Sequence, residues 1–116
     1  MEIVHDPDGR HAVLASDVDV ADSLSSQTRG LMFRRSIPED YALVFRFETA
    51  KPRDVHMLFV TFPIDVLWLV DDVVRRVERL KPWRGYAREE ADTIVELPAG
   101  SADRVAVGDR VVVPSR

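Results

Sequence analysis

The chain of 116 residues contains no cysteine. Disulfides, thiolate metal sites and a cysteine nucleophile are therefore excluded. It has only two lysines, Lys51 and Lys81, against fourteen arginines, and it favours Asp over Glu. A GC-rich genome or a salt-adapted organism would give that balance, although a net charge of only −4 opposes the extreme form of the second. The same charge gives no support to a nucleic-acid partner, and the arginines of Arg29–Arg35 and Arg75–Arg88 are interleaved with acids and apolar residues as on solvated faces. No apolar run approaches the roughly 20 residues that a membrane helix needs. The start, MEIVHDPDGR, has no basic n-region and no apolar h-region, so neither a signal peptide nor an anchor is expected and the cytoplasm is the default location. Phosphate-binding loops, dinucleotide fingerprints and a G-x-S-x-G elbow are missing, and no cofactor is expected. His5, His11 and His56 show no metal-ligand pair spacing, so no metal is expected either. Nothing in the sequence indicates an oligomeric state.

What is present is organised around His56–Val70, HMLFVTFPIDVLWLV. Pro63 and a β-branched, aromatic composition oppose a helix. Two central strands separated near Phe62–Pro63 are expected, covered on both faces. In the second, Asp65, Leu67 and Leu69 share one face, and Ile64, Val66 and Trp68 the other. Asp65 is the only formal charge in the run. A carboxylate on an apolar face needs a partner or a route to water.

Around this run, DPDG within His5–Arg10 predicts a turn, and His11–Val20 a strand. Ser23 reads as an N-cap for a helix over about 24–32, with Leu24, Thr28 and Leu31 on its buried stripe and Gly30 near its end. Ala42–Phe47 reads as a strand and Glu48–Arg53 as a polar loop. Asp71–Asp72 has hairpin spacing without the usual glycine. A strand from Val73 to about Leu80 stops at Pro82. Lys81–Glu90 reads as a loop, Asp92–Leu97 as a strand, Ala102–Val105 as a short helix capped by Ser101, and Arg110–Val113 as a final strand. The sum is one domain, residues 1–116, mostly β: a β-sandwich or barrel-like sheet with one main helix and a short second one.

The segments RGLMFR (Arg29–Arg34), IPED (Ile37–Asp40), ALVFRF, Pro63-Ile64-Asp65, VELPAG (Val95–Gly100) and Gly108–Asp109 come in an order and spacing that resemble domain-of-unknown-function family 192, an uncharacterised bacterial and archaeal family. The resemblance spans roughly Val18–Val113. It implies a compact, mostly β domain with a helix ahead of Gly-Leu-Met, and no activity. Several members carry an export signal. Where the family typically reads Phe-Trp-Met-Lys-Asn-Thr, this chain has Val55-His56-Met57-Leu58-Phe59-Val60, which is more apolar and looks like plain core.

Candidate site residues follow from the odd charges and aromatics. Arg29 and Asp65 are expected to pair, as a buried tie or as a site for a polar or anionic ligand. His56 is a rim histidine or a general base. Trp83 and Tyr86 in KPWRGY cover a core edge or stack on a flat ligand, with Arg84 and Arg88 as donors. A small non-catalytic ligand-binding or interaction module is the favoured reading. An enzyme acting on a carbohydrate or other polar metabolite through Asp65 and His56 is the alternative. A structural subunit with an apolar face covered by a partner is a third.

Overall fold

The computed structural model describes residues 1–21 and 30–114. Among the described residues eight strands follow one another: β1 (Ile3–His5), β2 (Ala12–Ala15), β3 (Asp17–Ala21), β4 (Tyr41–His56), β5 (Ile64–Val70), β6 (Val73–Leu80), β7 (Tyr86–Pro98) and β8 (Val111–Val112). They form a five-stranded sheet ordered β3-β4-β7-β5-β6 and a three-stranded sheet ordered β2-β1-β8. Only β3 and β4 pair in parallel; the other neighbours are antiparallel.

The strand β5 has the two faces that its alternation demands. Leu67 and Leu69 join Ile3, Val44, Val95 and Val111 in a core between the two sheets. Ile64, Val66 and Trp68 join Leu43, Phe45, Val55 and Ile94 in a second core on the opposite face. The five-stranded sheet is thus apolar on both sides, which is why β5 reads as a nearly continuous hydrophobic run. The hairpin to β6 turns at Asp71 and Asp72, both at positive φ (52° and 65°). That is the geometry of the tightest two-residue turn, reached with aspartates in place of glycine.

Several expected boundaries are corrected. The first half of the central run is not a strand: residues 57–63 form a loop, with Met57 and Val60 buried and Leu58 and Phe59 exposed. Phe59 lies at φ 61°, which no strand accommodates. The expected polar loop 48–53 is instead part of β4, which continues through it with a register shift between Arg46 and Lys51. This irregularity lets one strand bend, so that Phe45 and Val55 reach the same core. His11–Val20 is two strands in two sheets, broken at Ser16, whose main-chain N–H donates to Asp40 O.

The main helix predicted over 24–32 is not found: the 3-10 turn Pro7–Gly9 is the one helical element among the described residues. Residues 30–33 form a turn, with Gly30 at φ 51° and Phe33 at φ 68°, both outside the right-handed helical region. Residues 24–29 of that expectation lie outside the described residues. The short helix over 102–105 is also replaced by turns. Asp103 N and Val105 N donate three residues back, to Gly100 O and Ala102 O. The amides of Gly100 and Ala102 are captured by the Asp65 carboxylate, so the segment is shaped by a side chain rather than by helical bonding.

Candidate cavity beneath an aromatic rim

Asp65 is buried at 2 % exposure. Its carboxylate accepts Arg79 Nε at 2.8 Å, the amide of Gly100 at 2.9 Å and the amide of Ala102 at 3.0 Å. Arg79 lies directly across the β5–β6 ladder and also bridges to Asp103. Those two carboxylates raise the arginine's pKa. Asp65 therefore ties β6 and the loop after β7 to the centre of the sheet. Arg29, the partner expected for it, lies outside the described residues.

A cavity of about 330 Å³ opens on the other face of the same sheet. Leu31 and Met32 from the turn, Phe45 and Phe47 from β4, Val60 from the loop and Ile94 from β7 supply its apolar lining. One acidic side chain stands among them. Glu96 on β7 pairs with Leu43 on one side and Val66 on the other. Alternation sends it to the same face as Ile94, into the cavity. It is 7 % exposed. No hydrogen bond reaches its carboxyl among the described residues. Burial pushes its pKa up to about 8, with Arg34 acting weakly in the other direction. Gly30 approaches it closely: a Cβ at Gly30 would lie 3.9 Å from Glu96 Oε1 and 3.5 Å from Phe45 Cζ.

The other charges around the cavity are engaged. Arg53 donates to the carbonyls of Ala91 and Thr49 and stacks 3.7 Å above the Phe47 ring. Asp54 accepts Arg88 Nη1 at 2.6 Å and Tyr86 Oη at 3.1 Å, and the arginine holds its pKa below the usual range. His56 stands opposite Tyr86 on the exposed face, its Nδ1 accepting Leu58 N at 3.3 Å. A second, more polar cleft of about 410 Å³ adjoins, sharing Gly30 and Met32. Beside it Tyr41 donates to Asp19 and accepts Arg34; burial, then the Asp19 bond, raises the tyrosine to about 12.

Next to the cavity residues Met32 and Val60 lies an aromatic cluster, of which Phe33 lines the second cleft. Phe33 stacks on Phe59 with centroids 4.9 Å apart, and Phe59 meets Trp83 edge-on at 5.3 Å. All three are exposed, and all three have positive φ (68°, 61° and 64°). Bulky side chains in that region are rare and strained, and such strain concentrates at functional positions. Loop 57–63 holds them there through main-chain bonds, Phe33 N to Phe59 O and Trp83 N to Val60 O.

Residues 3–113 match the model of domain-of-unknown-function family 192, described as "Uncharacterized ACR". The chain belongs to this family. The proteins it resembles include UPF0127 proteins of Thermococcus sibiricus, 36% identical over 102 residues, and Thermococcus gammatolerans, 33% identical over 102 residues. These matches span 81% and 84% of this chain but only 64% of each relative. Among solved structures, a proposed transcription regulator from Sinorhizobium meliloti 1021 has a TM-score of 0.84 at 27% identity, covering 96% of this chain and 91% of that one. A protein of unknown function from Novosphingobium aromaticivorans has a TM-score of 0.83 at 18% identity, covering 97% and 84%, and shares the fold. No helix among the described residues is long and apolar enough to cross a membrane.

Of the expected site residues, His56 lines the cavity and Trp83 belongs to the aromatic cluster. Tyr86 and Arg88 are not among the lining residues; both bond to Asp54, which is. Asp65 belongs to the opposite face. Glu96, Phe33 and Phe59 are the additions. Glu96 carried a signal in the sequence, a lone acid between Val95 and Leu97, identical in kind to that of Asp65. The two phenylalanines carried none, because their conformation depends on loops that meet only in the fold.

Proposed function

We propose that this chain is a non-catalytic module that binds a small ligand in the cavity floored by Glu96. The observation that carries the reading is a buried carboxyl facing an apolar cavity with no hydrogen-bond partner among the described residues. Buried polar groups normally have partners, and an exception calls for one. The cavity is at the small end of the roughly 300–1,000 Å³ typical of ligand sites. The exposed aromatic cluster of Phe33, Phe59 and Trp83 offers stacking surface nearby. An acidic floor favours a neutral or cationic ligand over the anionic one expected from the arginines.

The alternative of an enzyme using Asp65 and His56 loses support, since the two residues stand on different parts of the sheet and the Asp65 carboxylate is held by three donors. The relative described as a transcription regulator does not shift this reading, because a net charge of −4 opposes binding to phosphates.

Methyl-labelled NMR tests the proposal. A screen of small apolar and amphipathic compounds should shift the methyl signals of Leu31, Ile64 and Ile94 in a saturable way. Met32→Trp, which narrows the opening, should weaken those shifts at least several-fold. A screen in which no compound moves these methyls, or in which Met32→Trp changes nothing, overturns it.

A further inference from the structure

We infer that the cavity takes an organic cation, an ammonium group on an apolar body, with the ammonium against Glu96. The inference rests on the ligand-binding reading above and names the class of ligand. It follows from which polar groups are already engaged. Arg53 is bonded to two carbonyls and stacked on Phe47; Asp54 is held by Arg88 and Tyr86; His56 accepts a main-chain amide from the exposed side. Glu96 is left, an acid with no hydrogen-bond donor among the described residues. An ammonium brings N–H donors and the charge that would let the carboxylate form, and charge-assisted bonds are about twice as strong as neutral ones. A neutral ligand could make only an ordinary hydrogen bond to the protonated acid. The apolar body would lie against Leu31, Met32, Val60 and Ile94. Phe45 adds a ring beside the acid, a surface that attracts cations.

Among the described residues, the charged groups around Glu96 are few. From the turn comes Arg34, bonded to Tyr41; from β3, Asp19, bonded to the same hydroxyl. Further along β4 stand Arg53, Asp54 and His56, and β5 presents the uncharged Ile64, Val66 and Trp68 on this face. The raised pKa of Glu96 is consistent with a neutral acid in the free protein. Binding is then an exchange: the ammonium enters with its charge, the carboxyl O–H breaks, and one proton leaves to solvent.

The test is calorimetry with n-hexylammonium chloride and 1-hexanol as probes, at pH 6, 7 and 8 and in two buffers of different ionisation enthalpy. Hexylammonium should bind at least tenfold more tightly than hexanol at pH 8. Its affinity should rise by about tenfold per pH unit below 8, with close to one proton released. Glu96→Gln, similar in size, should abolish the preference and the proton release. Should that variant fail to fold, the pH slope and the buffer dependence of the wild type decide alone. Hexanol binding as tightly as the ammonium overturns the cation while leaving the cavity reading standing; ammonium binding without proton release overturns the proton exchange. Neither probe binding or moving the Ile94 methyl signals overturns both.

Discussion

The two faces of the five-stranded sheet each bury one acid, and they treat it in opposite ways. On the face toward the small sheet, Asp65 meets an arginine and two main-chain amides within 3.0 Å. On the other face, Glu96 meets Leu43, Val66, Phe45 and a glycine. In sequence the two look alike locally, each an acid flanked directly by apolar residues. The difference lies in what the neighbouring loops supply. The loop after β7 folds its amides onto Asp65, whereas the turn at 30–33 brings Gly30 and leaves space. A buried charge is a tie where donors converge and a site candidate where they do not.

Removing the satisfied acid should have the largest effect. Asp65→Ala leaves the buried amide of Ala102 and the amide of Gly100 without their acceptor and Arg79 without its inner partner, and should cost about 4 kcal/mol. Arg79 is half exposed, so most of that loss belongs to the amides. Urea denaturation measures it. A loss under 1 kcal/mol would erase the contrast between the faces.

Replacing the unsatisfied acid should do the reverse, in a pH-dependent way. The folded protein keeps the Glu96 proton up to about pH 8, whereas the unfolded chain loses it near the ordinary value of 4.5. The stability associated with that proton is fully present below pH 4.5 and declines as pH rises toward 8. Glu96→Gln should therefore gain on the wild type across this window, by on the order of 3 kcal/mol at pH 9, with little change at pH 4. Parallel denaturation curves at pH 4, 7 and 9 measure this. A Gln variant less stable than wild type at pH 9 would mean that the carboxylate is welcomed there.

A smaller effect tests how firmly the loops of the aromatic cluster are packed. A Cβ on Gly85 would lie 2.7 Å from Leu80 Cβ and 2.9 Å from the main-chain nitrogen of Lys81. Gly85→Ala should cost about 2 kcal/mol through overpacking, read as a lowered thermal midpoint. A neutral result would show that the loop carrying Trp83 shifts freely.

The contrast also marks what could be read from the sequence. The alternation of β5 and the hairpin at Asp71–Asp72 were legible, because local periodicity and spacing encode them. The helix over 24–32 was misjudged in its described part, because the apolar spacing that suggested it says nothing of the positive φ at Gly30 and Phe33. The polar stretch 48–53 reads as a loop, because polarity hides a strand that bends out of the core. Asp65 stands out in the sequence as a charge needing a partner, for which the sequence suggests Arg29. Arg79, fourteen residues away, follows from the β5–β6 register and not from any motif. Glu96 needed the same logic applied to VELPAG, where a lone acid is flanked by buried residues.

The most direct measurement is the ionisation of Glu96 itself. A ¹³C NMR titration of its side-chain carboxyl, in protein labelled at glutamate and assigned through Glu96→Gln, reports it without any ligand. A midpoint near 8 is expected, set apart from the other glutamates. A midpoint at 4 to 5 would contradict the proposal of an unpartnered acid at the cavity floor, and the two faces of the sheet would then be alike.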